Sequence, residues 1–114
     1  MKFLALLGMA QNAGHLAGGD YACRDAISHK RACLVLLADD AAQRTKRTFM
    51  AQALSMGVPV LEVASKADLG RATGKPDRAV IAVCDPGFAA GLKKAWPESG
   101  DYVRGDVNAK NTRL

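Results

Sequence analysis

Basic side chains gather in two stretches of the chain, and phosphate binding is the chemistry that they could perform together. Each one alone is most simply a solvated surface residue. A glycine-rich turn at Gly18-Gly19 could add backbone amides at a helix start, so the combination indicates an anion-binding surface. Four cations surround the predicted fourth helix and its exit loop, and three lie in the predicted third helix: Lys66, Arg71, Lys75 and Arg78, then Arg44, Lys46 and Arg47.

The residue types that catalysis or metal binding needs do not fall in a suitable pattern. Gly74-Lys75 is followed by proline and lacks the spacing and the hydroxyl of a P-loop. His15 and His29 have no serine or cysteine beside them that would form a nucleophile–base pair. Adjacent residues on a strand point opposite ways, so helix capping explains Asp39-Asp40 better than a metal site does. We therefore expect no catalytic residue, no metal and no cofactor.

The composition is typical of one small globular domain with an aliphatic core. The 114 residues are 49% hydrophobic, 24% charged and only 5% aromatic. No apolar run approaches the roughly 20 residues of a membrane span, and the apolar stretch 1–7 is too short for a signal peptide. Cys23, Cys33 and Cys84 are odd in number and contain no CxxC pair. They predict reduced, mostly buried thiols in a cytoplasmic protein.

The positive charge belongs to the first 96 residues. The whole chain carries a net charge of +5, while residues 97–114 hold three basic and three acidic side chains. The distribution favours a basic folded domain over residues 1–96, which suits phosphate backbones. Residues 97–114 are polar and aperiodic, and we expect a flexible tail there.

Five helices and three strands are predicted to position the basic residues. The predicted strands are 33–38, 58–63 and 78–84, and 15–19 is expected to be a link. The predicted helices are 3–13, one capped by Asp20, one capped by Asp40 and closing at Gly57, one from Ser65 to Thr73, and one opened by Pro86.

Hydrophobic patterning assigns the elements to layers. The apolar run 33–38 suits a strand that is buried on both faces, and Pro59 places the next strand at an edge or strand end. The third helix is expected to direct Phe49, Met50, Ala53 and Leu54 inward. The alternation of helix and strand predicts a single-domain α/β fold, a three-layer α/β/α sandwich.

Several segments resemble the kink-turn-binding ribosomal-protein superfamily, and more closely its bacterial YlxQ-like branch. They are LLGMAQNAGHLAGG at 6–19, LVLLADDA at 34–41, GVPVLEV at 57–63 and SKADLGRATGKPDRAVIAV at 65–83. The resemblance runs from about residue 3 to residue 94. Its most specific part is the pattern Ser-Lys-x-x-Leu-Gly-x-Ala-x-Gly at 65–74. The resemblance implies an α/β/α sandwich, no cofactor, and structured RNA, ribosomal or other, as the partner.

The kink-turn-binding members grip RNA with a Gly-x-Asn-Glu-x-x-Lys pattern that opens the second helix. In this chain Gly19 matches the glycine, whereas the asparagine, glutamate and lysine fall on Tyr21, Ala22 and Asp25. We therefore expect RNA binding without the standard kink-turn reading residues. Tyr21 either stacks on an unpaired base or is a half-buried aromatic at the helix start.

Two further contacts are implied by the resemblance. Asp39-Asp40 matches the family's acidic turn after the central strand, and Lys75-Pro76-Asp77 replaces its apolar loop with a polar one. The predicted RNA-binding residues are Gly18, Gly19, Tyr21, Arg24, Asp39, Arg71, Lys75 and Arg78.

We expect a monomeric, non-enzymatic cytoplasmic protein with no membrane partner. Two rivals remain at this point. One is a protein–protein adaptor that kept the fold and lost RNA binding. The other is a small enzyme that uses the Asp39-Asp40 turn.

Overall fold

A computed structural model describes residues 2–96, which form five helices and four strands. The predicted tail, 97–114, lies outside the described residues. In chain order the elements are α1 (Phe3–Asn12), β1 (Leu16–Gly18), α2 (Asp20–Ser28), β2 (Leu34–Ala38), α3 (Gln43–Ser55), β3 (Val60–Val63), α4 (Lys66–Ala72), β4 (Val80–Val83) and α5 (Pro86–Ala95).

The four strands form one mixed sheet in the order β1-β4-β2-β3. Strand β4 is antiparallel to both β1 and β2, while β2 and β3 are parallel. The carboxyl ends of β1, β2 and β3 therefore meet the amino end of β4 at one end of the sheet. We call this the apical end and define it by Gly18, Ala38, Val63 and Val80.

The sheet separates two hydrophobic clusters, which confirms the predicted three-layer α/β/α sandwich. Alternate residues of β2 point to opposite faces, as the period of two requires, so Leu34 and Leu36 join one cluster while Val35 and Leu37 join the other. Side chains of α1, α4 and α5 fill the first cluster, and side chains of α2 and α3 fill the second. They include Phe3, Leu7, Leu69 and Leu92 on one face, and Cys23, Ile27, Phe49 and Ala53 on the other.

Several local sequence signals hold in the structure. Every residue of β2 is buried, and β3 is an edge strand that begins directly after Pro59. The Ser65 hydroxyl caps α4 by accepting the backbone N–H of Asp68 at 3.1 Å. Pro86 opens α5 at the first helical position, where a missing N–H costs nothing. Each of these signals depends only on neighbouring residues, so it could be recognised in the sequence.

The predicted link 15–19 is wrong, because Leu16–Gly18 forms a strand. Three residues are too few to show a period, and β1 exists because Val83, Ala82 and Ile81 of β4 pair with it. Gly19 then precedes α2 with a φ of 94°, a conformation that side chains disfavour. Asp20 is the first helical residue and its side chain does not cap the helix, contrary to the prediction.

Two details of α3 also differ from the prediction. The residue before the helix is Ala42, and no side chain caps it. Asp40 instead reaches the start of α4, where its Oδ1 accepts the backbone N–H of Lys66 at 2.8 Å. Leu54 does not point inward, since 80% of it is exposed. The buried face of α3 is narrower than its apolar residues suggest.

None of the helices within residues 2–96 is long and apolar enough to cross a membrane. The same residues contain no cluster of three or more histidine, cysteine or acidic side chains that could hold a metal ion.

Candidate nucleic-acid interface

The apical end brings together segments that are far apart in sequence. The turn Gly18-Gly19 leads from β1 into α2, and Asp39-Asp40 follows β2. Ser65 and Lys66 begin α4 after β3, and residues 74–79 lead into β4. Backbone hydrogen bonds join these segments, because Gly19 N–H donates to the Val80 carbonyl at 3.1 Å and Ala38 N–H donates to the Ala79 carbonyl at 2.9 Å. Most of the predicted binding residues therefore share one end of the sheet.

Arg78 packs directly on the glycine turn. A Cβ added at Gly18 would lie 2.8 Å from the Arg78 Nε, and one added at Gly19 would lie 2.8 Å from its Nη1. The two glycines thus leave room for the guanidinium against the backbone. Two adjacent glycines in the sequence indicate that another group can approach the backbone closely. The sequence alone did not indicate that Arg78 would be that group.

The loop that carries Lys75 and Arg78 is held at both ends. Lys75 N–H donates to the Gly70 carbonyl at 2.8 Å, and Arg78 N–H donates to the Lys66 carbonyl at 3.0 Å. A Cβ at Gly70 would lie 2.6 Å from the Cα of Asp77, so α4 touches the loop backbone directly. The two cations are consequently presented by a preorganised loop, which lowers the ordering cost of binding.

The predicted cations differ in whether an acidic side chain neutralises them. Arg71 lies 3.2 Å from an Asp68 oxygen, and Arg24 lies 3.7 Å from an Asp20 oxygen. Over residues 2–96, neither Lys75 nor Arg78 forms an ion pair with a carboxylate. These two are the predicted site cations whose charge is left for a ligand.

The acidic turn has a structural role. The backbone N–H of Asp39 donates to the carbonyls of Val63 and Ala64 at 3.1 and 3.0 Å, which ties β2 to the end of β3. The Asp39 carbonyl accepts Lys46 Nζ at 2.8 Å, and the same nitrogen lies 3.1 Å from Glu62. Lys46 is therefore a partly buried structural cation and not part of an exposed basic surface.

Tyr21 lies one residue beyond the start of α2 with 76% of it exposed. This exposure contradicts the interpretation of Tyr21 as a half-buried helix-start aromatic. The ring is free to meet a ligand at the apical end. An exposed tyrosine presents a flat π-face, which is the form that stacking on an unpaired base requires.

A second basic groove, which the sequence did not reveal, lies between α2 and α3. It has a volume of about 340 Å³ and includes Arg24 and Arg44 together with Asp20, Thr45 and Thr48. Gln52 joins the two helices beneath it by donating to the Arg24 carbonyl at 3.1 Å. Arg47 is exposed on α3 but does not line this groove. The basic residues of α3 therefore do not form one shared site.

Cys23 and Cys84 are not activated nucleophiles. Cys23 is fully buried, and burial raises the pKa of its thiol to about 12. Burial also raises the pKa of Cys84 above its usual value. Because the thiolate is the reactive form, both side chains stay protonated and inert near neutral pH.

Fold and apical end together define a small α/β/α binding protein of the ribosomal-protein type rather than an enzyme. Residues 1–93 match the Ribosomal protein L7Ae/L30e/S12e/Gadd45 family, and the chain belongs to that family. Membership confirms the resemblance that the sequence motifs indicated, and with it the non-enzymatic character.

Relatives from two bacteria cover most of the chain. The RNA-binding protein YlxQ of Bacillus subtilis (strain 168) is 39% identical over 89 residues, which are 78% of this chain and 89% of that protein. The RNA-binding protein YlxQ of Enterococcus faecium is 33% identical over 93 residues, which are 82% of this chain and 89% of that protein.

Two solved structures show the same architecture. A Bacillus halodurans protein described as having unknown function superimposes with a TM-score of 0.80 at 37% identity, covering 82% of this chain and 95% of its own. The Giardia lamblia 15.5kD RNA binding protein superimposes with a TM-score of 0.67 at 19% identity, covering 81% of this chain and 85% of its own. At 19% identity, the similarity to the Giardia lamblia protein shows a shared fold.

Proposed function

We propose that this chain is a non-enzymatic RNA-binding protein that takes structured RNA, ribosomal or other, at its apical end. The observation that carries the proposal is the pair Lys75 and Arg78, held on a fixed loop beside the Gly18-Gly19 turn and unpaired with any carboxylate over residues 2–96. Fixed cations without acidic partners suit phosphate oxygens. The relatives named RNA-binding proteins support the same ligand.

In this proposal the protein does not recognise its RNA through the contacts that read a standard kink-turn. Tyr21 and Ala22 stand where the superfamily pattern has Asn and Glu, so the side chains that read G·A pairs are missing. Asp25 stands in the place of the lysine. Its carboxylate lies 2.8 Å from Arg31 and 3.1 Å from His29, and the Arg31 hydrogen bond lowers the pKa of this carboxyl group. Because this carboxylate is already paired with Arg31, the position offers no cation to a phosphate.

An adaptor on the same fold is the second candidate, and one surface favours it. Met50, Leu54, Val58 and Val60 line an apolar hollow of about 120 Å³ beside the edge strand β3. Leu54 is largely exposed there, as a residue in a protein interface would be in the free protein. Specific binding of a ribosomal protein in the absence of RNA would support the adaptor function.

We also propose that the protein is cytoplasmic and monomeric. Ultraviolet crosslinking in living cells tests the proposed RNA binding. We expect RNA to be recovered covalently attached to the full chain, with crosslinked peptides that contain residues 18–24 and 71–78. Sequencing of the recovered RNA then names the ligand. Recovery of no RNA above the level of an uncrosslinked sample, or attachment only through α5, would contradict the proposal. A matched sample of the Arg78→Glu variant controls for attachment that does not involve the apical end.

A further inference from the structure

An apolar hollow lies beside the start of β3 and is lined by residues of α3 and of the segment that leads into the strand. Its volume is about 120 Å³, and its lining consists of Met50, Leu54, Val58 and Val60. Val60 is buried and Met50 and Val58 are half-buried, whereas 80% of Leu54 is exposed. A concave apolar surface with an exposed leucine is the form in which a free protein presents a docking site.

The hollow is separate from the apical end. Val60 is the first residue of β3, and the apical end is reached only at the last residue, Val63. Met50, Val58 and Val60 belong to the hydrophobic cluster on the α2 and α3 face of the sheet. None of the lining residues is among the predicted RNA-binding residues. A molecule can therefore bind in the hollow without displacing RNA from the apical end.

The charged residues of α3 are basic. Residues 41–61 contain three basic side chains and no acidic one. Lys46 is paired with Glu62 of β3 at 3.1 Å, and both side chains are mostly buried. Arg47 is exposed, and in the described part of the chain it forms no ion pair with a carboxylate. Because Arg47 precedes Leu54 by seven residues, or about two helical turns, the two lie on the same face of α3.

We propose that the hollow and Arg47 form a docking surface for an acidic amphipathic helix of another protein. The exposed face of α3 has the spacing that helix pairing uses, since Arg47, Met50 and Leu54 are three and then four positions apart. A large apolar side chain of the partner enters the hollow and covers Leu54. Carboxylates about two turns away on the partner face Arg47. An apolar cavity of about 150 Å³ holds a benzene molecule, so the hollow of about 120 Å³ suits one leucine or methionine side chain.

Other occupants match this surface less well. A second copy of this chain that presented the same face would bring no carboxylate, because residues 41–61 contain none. Residues 97–114 hold three basic and three acidic side chains, so they carry no net negative charge. RNA phosphates would satisfy Arg47 and leave the apolar lining without a partner. A lipid surface suits apolar side chains that project from a protein, whereas this lining is concave.

Selection of displayed helical peptides against the full chain tests the apolar half of the surface. The peptides have about 18 residues, or five helical turns, and fluorescence anisotropy measures their affinity. We expect the selected peptides to share a large apolar residue with acidic residues about seven positions away. Leu54→Ser should lower their affinity about tenfold, the effect of losing a large apolar contact. Met9→Ser removes an exposed apolar side chain from α1, on the other face of the sheet, and should leave the affinity unchanged. Equal affinity for Leu54→Ser and the natural chain would overturn the proposal.

Charge reversal tests the acidic half. Arg47→Glu should weaken binding of the selected peptides about fivefold, and exchange of their acidic residues for lysine should restore binding to this variant. Affinities that respond to neither reversal would overturn the acidic partner. Leu54→Ser should bind structured RNA as the natural chain does. The docking surface and the proposed RNA binding can therefore fail independently.

Photo-crosslinking in living cells identifies the occupant. A photoreactive phenylalanine derivative replaces Leu54 in the full chain, and mass spectrometry identifies what is attached to it. We expect acidic segments of another protein, which the same derivative in place of the exposed Ala90 of α5 should not capture. Attachment to residues 97–114, to a second copy, to RNA or to lipid would overturn the proposal.

Discussion

Replacement of Arg78 by glutamate is expected to weaken binding of structured RNA by about 1–3 kcal/mol, or roughly fivefold to 150-fold. The guanidinium lies against the Gly18-Gly19 turn, and no carboxylate of residues 2–96 neutralises it. A glutamate there removes a contact and adds a repelling charge beside the RNA. Because the contact goes to phosphate or to a base face, RNAs of different sequence should be affected to a similar degree. Filter binding at fixed salt measures the change.

Arg47→Glu is the matched control for this variant. It makes the same change in net charge at an exposed residue of α3 that lies outside the α2/α3 groove. A pair of double variants extends the comparison. Arg71→Glu with Arg78→Glu should weaken binding far more than Arg44→Glu with Arg47→Glu. If both double variants lost the same affinity, binding would be a diffuse charge effect without a defined face.

Grafting the family's reading residues onto α2 is expected to raise the affinity for a standard kink-turn RNA, which the natural chain should bind poorly. The variant carries Tyr21→Asn, Ala22→Glu and Asp25→Lys. Asn and Glu restore hydrogen-bonding groups aimed at base edges, where a good bidentate pair contributes about 1–3 kcal/mol. Lys supplies a cation at a position where the natural chain has a carboxylate that is paired with Arg31. A gain of about tenfold or more is the expected result.

The fold should tolerate the graft. Tyr21 is mostly exposed, Ala22 is half-buried at the edge of the helix face, and the ion pairs of Asp25 are at the surface, where such pairs contribute little. The buried stripe of Cys23, Ala26 and Ile27 is unchanged. The control RNA has the same sequence except that its G·A pairs are broken, and the graft should gain much less affinity for it. Tight binding by the natural chain that is lost when the pairs are broken would refute the assignment of Tyr21, Ala22 and Asp25.

Helices and strands whose sequence signal lies within a few neighbouring residues could be predicted from sequence. The apolar run of β2 is long enough to identify a strand buried on both faces, and Ser65 and Pro86 carry helix-start chemistry within a few residues of the helices that they begin. Together with the alternation of helix and strand, these signals lead to the α/β/α sandwich. The resemblance in residues 65–83 pointed to the same family that residues 1–93 match.

Features that depend on distant pairing could not be predicted. Strand β1 is three residues long and exists because β4, more than 60 residues later, pairs with it. Asp40 looked like a cap for the helix that follows it, yet parallel pairing of β2 with β3 places the start of α4 within its reach. The packing of Arg78 on Gly18 and Gly19 likewise depends on residues that are far apart in sequence.

The salt dependence of RNA affinity tests the central claim most directly. If the four cations of α4 and its exit loop meet phosphates, as Lys66, Arg71, Lys75 and Arg78 would, their counterions are released and the affinity falls steeply with salt. A plot of the logarithm of the association constant of the full chain against the logarithm of salt concentration should have a slope of about −3 to −4. The same slope is expected without residues 98–114, whose removal changes the net charge little. A slope near zero, or no binding of structured RNA at low salt, would contradict the account.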